Sequence, residues 1–267
     1  MNTTDYPEII YKYRNWQNIY HRKILTDGEI YLAAPNSFND PFDFGITKNF
    51  LTLDTKEKIE KYVDDGLKKH KDFLLSKGYN LAKEREFQLN RLKNIEEYQK
   101  EWENIEFNAI NKYQGVLSLS GRWNSILMWS HYAENHKGFN IGYNEEKMRT
   151  SGIFGKGGPV IYSTDYPFID PFEEHSMISS FQKSHYKSKE WEYEEEYRLT
   201  KLFYPNEPTE DERVKKIPFG FIEEINLGLK ISSEDKDDIL KIANEHDIKV
   251  YQIQKTPFKF ELTRRLV

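Results

Sequence analysis

The stretch from residue 115 to residue 143 most constrains the fold, because it predicts a strand, a short helix and a second strand in direct succession. Glycines bracket the first strand, and its apolar–polar alternation places Ser118 and Ser120 on the same face. Residues 139–143 predict the second strand. A strand–helix–strand unit is therefore expected at the centre of the chain.

The helix of this unit carries polar aromatic side chains. Ser125 can cap its first turn, and Trp129 and Tyr132 have helical spacing. Residues 136–138, with the sequence His-Lys-Gly, are typical of a helix end. Because a plain core would use aliphatic residues, this mixture indicates a functional site. We expect His131 or Tyr132 to line a cleft, with a structural core histidine as the alternative.

The rest of the chain predicts an α+β fold. From about residue 54 to residue 112 charged residues dominate and the apolar positions keep a helical period, so this stretch is predicted to be an inserted helical hairpin. It is interpreted as a solvated lid or, alternatively, as a partner-binding arm. Further strands are predicted at 9–13, 29–34, 159–162, 199–204, 217–219, 222–227 and 249–253. Residues 1–267 are thus predicted to form a single domain with a central mixed or antiparallel β-structure.

The composition limits the class of protein. The chain has 267 residues, a net charge of -5 and no cysteine, which excludes disulfides, a thiolate nucleophile and a cysteine-based zinc site. The acidic balance argues against a protein that coats nucleic acid, although a local basic patch leaves nucleic acid open as a partner. There is no signal-peptide pattern and no apolar run of about 20 residues, so a cytoplasmic location without a membrane partner is predicted.

Two glutamates and one arginine are candidates for chemistry. Glu194 and Glu196 share a face if the strand that follows them begins early enough, and adjacent carboxylates raise at least one pKa, as in catalytic pairs. The alternative is a solvated acidic run. Arg14 ends the first strand and could bind a phosphate or a carboxylate through two hydrogen bonds, or lie on the surface as an ordinary arginine.

A metal-dependent nuclease is the competing interpretation of the acidic residues. It would use Asp40, Asp43, His131, Glu194 and Glu196 as ligands or catalytic groups. Asp40 and Asp43 flank a proline in a loop, however, and turn formation by Asn39 and Asp40 is the role that this loop favours. No metal cofactor is expected.

Four pieces of the chain together resemble the bacterial family called domain of unknown function 2971. The pieces lie at 11–14, 38–43, 127–139 and 191–198. They occur in the family's order and span most of the chain outside the helical insertion. The family has no established activity, but its members are often found near phage-defence genes. The resemblance therefore implies a bacterial protein with a role in anti-phage defence or toxin action.

A second resemblance concerns chemistry. The order Arg14, then Ser118-Leu119-Ser120, then Glu194-Glu195-Glu196 is similar to the Arg, Ser-Thr-Ser, Glu-x-Glu order of ADP-ribosyltransferases, with leucine in place of the usual threonine. The resemblance implies an ADP-ribosyltransferase-like fold with NAD as a substrate. It also implies that Arg14 holds the dinucleotide and that the serines position the catalytic Glu196.

Under this interpretation the remaining roles follow from physical chemistry. Cleavage of the nicotinamide–ribose bond passes through an oxocarbenium-like state, which the carboxylate of Glu196 can stabilise. Glu194 can accept the proton of the acceptor. Tyr13, Trp129 and Tyr132 offer flat surfaces for a base or for nicotinamide.

The sequence is consistent with three functions. They are an NAD-consuming ADP-ribosyltransferase or NAD glycohydrolase, a metal-dependent nuclease, and a non-catalytic sensing or interaction module. The first acts on a macromolecular acceptor that the sequence does not identify. In the third, the aromatic cluster is core and the helical insertion binds a partner protein. Clustering of Arg14, Ser120 and Glu196 around a cleft would favour the first, and carboxylates that converge near His131 would favour the second.

The first prediction concerns the charge of Glu196. Glu196→Gln keeps the volume but removes the charge, so turnover of NAD should fall about a hundredfold or more while the melting temperature hardly changes. Glu195→Gln, on the opposite face of a strand, should have almost no effect. Equal losses from both substitutions in an assay of nicotinamide release would contradict the transferase assignment.

Overall fold

The structure, a computed structural model, describes residues 6–174 and 176–267. The strands are β1 Ile9–Arg14, β2 Glu29–Tyr31, β3 Gln114–Ser120, β4 Phe139–Asn144, β5 Lys156–Pro159, β6 Ile161–Ser163, β7 Tyr186–Ser188, β8 Glu196–Leu202, β9 Val214–Lys216, β10 Ile222–Leu227, β11 Lys249–Lys255 and β12 Leu262–Leu266. The helices are α1 Ile19–Thr26, α2 Lys56–Lys69, α3 Lys71–Ser76, α4 Leu81–Arg91, α5 Ile95–Tyr113, α6 Ile126–Tyr132, α7 Glu145–Thr150, α8 Met177–His185, α9 Glu210–Arg213 and α10 Ser233–Glu245. These elements confirm the predicted α+β class.

Eight strands form one mixed sheet in the order β12-β11-β10-β4-β1-β3-β8-β5. β10 and β11 run parallel and are connected through α10, whereas the other neighbours in the sheet run antiparallel. The sheet contains the predicted strands β1, β3, β4 and β8, which confirms the central β-structure. β2 pairs with β9, and β6 pairs with β7, in two small ribbons.

Two predicted strands differ from the structure. The strand predicted at 159–162 is divided, because β5 ends at Pro159 and β6 begins at Ile161. Residues 217–219 were expected to be extended, but the strand is β9, which ends at Lys216. Pro218 then precedes a 3-10 turn at Phe219–Phe221. Because proline has no N–H to donate to a ladder, pairing stops before it. The short strands β7 and β12, which carry few apolar side chains, were not predicted.

The large sheet is weakly joined between β1 and β3. β1 pairs with β4 along all six of its residues, but it pairs with β3 only where Tyr11 lies opposite Ser120. β3 in turn pairs with β8 along seven residues. The sheet therefore divides at this junction. The ammonium group of Lys12 donates a hydrogen bond across it to the main-chain carbonyl of Ser118.

The two faces of the sheet differ in character. One face carries an apolar core that includes Ile10, Leu119 and Ile141 and extends to Ile239 of α10. The other face carries an aromatic core, whose buried members are Tyr11, Tyr13, Met128, Trp129, Ala133, Ile253 and Leu262. α6 lies on this second face, and its predicted cap is confirmed because the hydroxyl of Ser125 accepts a hydrogen bond from the Met128 N–H.

The described residues group into two compact units. The sheet unit contains 6–39, 111–164 and 187–267. The helical unit contains 40–110 and 165–186, so it starts earlier than the predicted insertion and includes a second stretch of chain. Its core is built around Phe50, whose ring meets those of Tyr98 and Trp102 edge-on at 5.0 and 5.4 Å. No helix among the described residues has the length and the apolar character needed to cross a membrane.

The helix end predicted at 136–138 is wrong, because α6 ends at Tyr132 and turns follow it. Gly138 instead ends the turn between α6 and β4, which gives a second prediction. A Cβ on Gly138 would lie 2.1 Å from the main-chain oxygen of Arg14, so the backbone of β1 would have to move. Gly138→Ala should therefore lower the free energy of unfolding by about 2 kcal/mol or more in chemical denaturation. Gly220→Ala is the control, because a Cβ there meets no atom within 4 Å. Equal stability of the two variants would contradict this packing.

Candidate functional site

Two buried glutamates converge on one lysine. The 3-10 turn Lys189–Glu194 ends at Glu195, whose left-handed backbone (φ 41°) turns the chain into β8. As a result Lys187 donates to Glu194 Oε2 at 2.6 Å and to Glu196 Oε2 at 3.1 Å. Each glutamate is 4% exposed. The strand does not reach back to Glu194, but the tight turn still brings the two carboxylates to the same cation.

Arg198 completes a cluster of two acids and two bases. Its Nε donates to Glu196 Oε1 at 2.7 Å and its Nη2 donates to Glu196 Oε2 at 2.9 Å, and the arginine is fully buried. Burial raises the pKa of Glu196, but the charges of Arg198 and Lys187 outweigh it and hold that pKa well below its usual range. The pKa of Glu196 is therefore lowered and not raised, because each of its oxygens faces a cation.

Glu194 is held in addition by α6. The hydroxyl of Tyr132 donates to Glu194 Oε1 at 2.6 Å and accepts a hydrogen bond from Asn39 at 3.2 Å. Burial and the bond to Glu194 raise the pKa of Tyr132, so the phenol stays neutral and acts as a donor. Tyr132 thus contributes to the site, whereas His131 is exposed and bonds the hydroxyl of Tyr193 at 3.2 Å.

The two serines of β3 support the glutamates in different ways. Ser120 is fully buried, and its hydroxyl donates to the main-chain oxygen of Glu194 at 2.6 Å. The Ser118 side chain helps to lower the pKa of Glu196. Ser120 lies directly opposite Glu196, and Ser118 lies opposite Arg198, in the β3–β8 ladder. The serines therefore fix the backbone and one carboxylate at the start of β8.

Arg14 does not contact these groups. Tyr11 lies opposite Ser120, so the alternation of side chains along β1 puts Arg14 on the opposite face of the sheet from Ser120 and Glu196. Its Nη1 donates to the main-chain oxygen of Tyr13 at 3.3 Å. Lys12 is the cation of β1 that reaches β3.

Lys12 and Arg14 form a cationic pair in which no acid takes part. Within the described part of the chain, neither side chain has a carboxylate oxygen within 4.0 Å. Burial, with the charge of Arg14, lowers the pKa of Lys12, although Glu196 and Glu194 act in the opposite direction. Burial lowers the pKa of Arg14 to about 10. Burial and the two cations also lower the pKa of His21 to about 4. An anion would be stabilised at this position.

Two of the predicted flat surfaces are core residues. Tyr13 and Trp129 are 2% and 0% exposed, and their rings meet edge-on at 5.1 Å. The Tyr13 hydroxyl donates to the Arg122 carbonyl at 2.8 Å, and the Trp129 indole N–H donates to the Trp123 carbonyl at 2.7 Å. Both polar groups are satisfied inside the protein, and both rings are buried.

The acidic loop forms a turn, as expected. Asp40 Oδ1 accepts a hydrogen bond from the Phe42 N–H at 2.9 Å, and the Asp43 N–H donates to the Asp40 carbonyl at 3.2 Å. Across residues 6–174 and 176–267, no three His, Asp or Glu side chains are grouped as metal ligands would be.

Sequence reasoning missed the cations Lys12, Lys187 and Arg198. Two signals for them were present. Arg198 lies two residues after Glu196, so the period of a strand places both on one face, and Lys12 has the same relation to Arg14. Lys187 left no such signal, because a turn separates it from the glutamates.

The shared lysine gives a third prediction. Lys187→Met leaves two buried carboxylates without their common cation, so the free energy of unfolding at neutral pH should fall by about 3–5 kcal/mol. Glu195→Gln, which removes an exposed ion pair with Arg122 (2.8 Å), should cost less than about 1 kcal/mol. Urea denaturation with circular dichroism measures both. Similar midpoints for the two variants would show that Lys187 does not stabilise the cluster.

One comparison with known proteins finds a family model without an assigned activity that matches part of the site. The family model described as protein of unknown function, DUF2971, matches residues 128–199, which contain Tyr132, Lys187, Glu194, Glu196 and Arg198 but neither β1 nor β3. A search of curated proteins found no match, and a search of solved structures also found none. The match confirms that the chain resembles the DUF2971 family, as the four sequence pieces predicted.

Proposed function

We propose that the protein is an NAD-consuming enzyme of the ADP-ribosyltransferase or NAD glycohydrolase type, with its site where the sheet divides between β1 and β3. The observation that carries the proposal is the pair Glu194 and Glu196, which is buried beside Lys187 and Arg198 and whose charges also act on Lys12 of β1. The function fits a bacterial cytoplasmic protein of anti-phage defence or toxin action.

The carboxylate pair suits the chemistry of glycosidic cleavage. When nicotinamide leaves, positive charge develops on the ribose, and a fixed carboxylate attracts it. At about 4 Å and an effective dielectric constant of about 20, the attraction is about 4 kcal/mol, which corresponds to roughly a thousandfold in rate. A carboxylate whose pKa lies well below neutrality, as for Glu196, keeps its charge at the pH of the cytoplasm.

The geometry favours a direct role for Glu194 and a positioning role for Glu196. Both oxygens of Glu196 accept hydrogen bonds from Arg198. Glu194 Oε1 has a neutral donor, the hydroxyl of Tyr132, which is partly exposed on α6. A substrate hydroxyl can exchange with a phenol at a lower cost than with a buried guanidinium. The acceptor, water or a macromolecule, would then lose its proton to Glu194.

The cations of β1 are the natural place for the diphosphate of NAD. The guanidinium of Arg14 has five N–H donors, and the main-chain oxygen of Tyr13 takes one of them. Phosphate accepts two parallel hydrogen bonds from such a group. The charges of Arg14, Glu196 and Glu194 all act on Lys12. Lys12 can therefore link a bound phosphate to the carboxylate pair.

The fourth prediction tests this function by nicotinamide release from NAD. The wild-type protein should release nicotinamide. Glu194→Gln should lower turnover about a hundredfold or more, because it removes the charge nearest the ribose. Glu195→Gln is the matched control, since the same change at an exposed residue should leave turnover unchanged. Arg14→Met should mainly raise KM.

Glu196→Gln must be measured together with stability. The substitution removes the carboxylate charge that pairs with Arg198 and Lys187, so it should lower stability and not leave the melting temperature almost unchanged. The melting temperature should fall clearly, and turnover has to be expressed per folded molecule. No nicotinamide release by folded wild-type protein would contradict the proposal. Metal-dependent cleavage of nucleic acid by the same sample would favour the nuclease.

A non-catalytic sensing or interaction module is the second candidate. The observation that favours it is that all four carboxylate oxygens of Glu194 and Glu196 already have donors inside the protein. Under this alternative the cluster is structural. Binding of NAD without turnover, measured by calorimetry, would support the module over the enzyme.

A further inference from the structure

The helical unit contains a cavity that the proposed function does not use. Its volume is about 270 Å³. It is lined by the following residues: Lys48, Lys69, Trp102, Glu106, Ile169, Glu173, Glu174, Ser179 and Lys183. Trp102 and Glu106 lie one turn apart on α5, so they share a face of that helix. Ser179 and Lys183 have the same spacing on α8.

Two polar atoms of the lining residues are buried without a partner. The indole Nε1 of Trp102 and the Oε2 of Glu106 make no hydrogen bond within the described chain. Buried polar groups are almost always satisfied in native proteins, and an orphaned one calls for an explanation such as a missing ligand. One of these atoms is a donor and the other is an acceptor. A ligand that satisfies both must therefore offer an acceptor and a donor.

The charges that line the cavity are balanced. Lys183 pairs with Glu106 Oε1, and Lys69 pairs with Glu174 at 2.7 Å. Lys48 donates instead to the main-chain oxygens of Pro171 and Glu173. The three lysines and the three glutamates offset one another, so the lining has no net formal charge that would favour a simple cation or a simple anion.

The Lys48 ammonium group is the one best placed to receive an anionic group. It is bonded to neutral carbonyls, and burial followed by the charge of Lys183 lowers its pKa, although Glu173 acts in the opposite direction. A carboxylate at this position would favour the charged form of Lys48. The unpartnered Oε2 of Glu106 would accept a hydrogen bond from an ammonium group of the ligand.

We propose that this cavity binds a small zwitterion of the free α-amino acid type. Its carboxylate would contact Lys48 and the Trp102 indole N–H, and its ammonium group would contact Glu106 Oε2. The volume fits this class, since it lies just below the range of about 300–1,000 Å³ that is usual for drug-sized ligands. Ile169, which is buried, supplies an apolar wall for a side chain.

The fifth prediction tests this site by isothermal titration calorimetry with each of the twenty common free amino acids. At least one should bind the wild-type protein with a Kd below about 1 mM. Trp102→Phe keeps the ring but removes the N–H, and Glu106→Gln removes the charge but keeps an acceptor for Lys183. Each should weaken the best binder by about tenfold or more. Glu86→Gln, on the exposed surface of α4 and outside the cavity lining, is the matched control and should bind like the wild type.

The dependence on both charges is tested on the wild-type protein. The same compound without its amino group, and the same compound without its carboxylate, should each bind at least about tenfold more weakly. This comparison needs no variant, so it stands even if Glu106→Gln fails to fold. The proposal is overturned if no amino acid binds, if a single-charge analogue binds as tightly, or if folded Trp102→Phe and Glu106→Gln both bind like the wild type.

Discussion

The ammonium group of Lys187 is the interaction on which the candidate site depends. It neutralises two carboxylates that lie two residues apart in the sequence, and Arg198 supplies the second cation. Two acids and two bases cancel, so the cluster can be buried without net charge. Any one of them alone would carry a desolvation penalty of several kcal/mol, which is why the four positions are coupled.

The same interaction explains the backbone around the site. Glu195 adopts a left-handed conformation that non-glycine residues rarely take. The turn lets Glu194 and Glu196 both accept hydrogen bonds from Lys187, and this charge pairing offsets the backbone strain. Ser120 then fixes the carbonyl of Glu194 across the β3–β8 ladder. Local strain is thus offset by charge pairing, which no local propensity describes.

Much of the fold follows from periodicity. β3 and β4 lie within a residue of their predicted bounds, because apolar–polar alternation and burial on a two-faced sheet have the same period. The strand predicted at 217–219 is wrong because Pro218 has no N–H to donate to a neighbouring strand. β12 was missed because its exposed positions carry arginine and threonine, and its partner β11 supplies the pairing that its own composition does not indicate.

The site was predicted in part, and the reason is the same. Ser118, Ser120 and Glu196 lie within one cluster because strand pairing relates them, whereas Glu194 reaches it through the turn at Glu195. The aromatic residues failed as ligand surfaces because composition cannot separate a ring that lines a cleft from one that fills a core. Tyr13 and Trp129 have their polar atoms satisfied by main-chain carbonyls, and such partners leave no trace in the sequence.

The position of the cluster argues for a role beyond stability. A buried group of ion pairs is often no better for stability than apolar residues of similar volume. Here it lies beside the residue pair that joins β1 to β3, and its carboxylates act on Lys12, which, like Arg14, has no acidic partner within 4.0 Å in the described chain. Uncompensated cations at a gap in a sheet are costly unless an anion comes to them. Carboxylates that are paired inside the protein, and cations of β1 that have only carbonyl partners, would serve the two separate tasks that the proposed substrate, with both ribose and phosphate, requires.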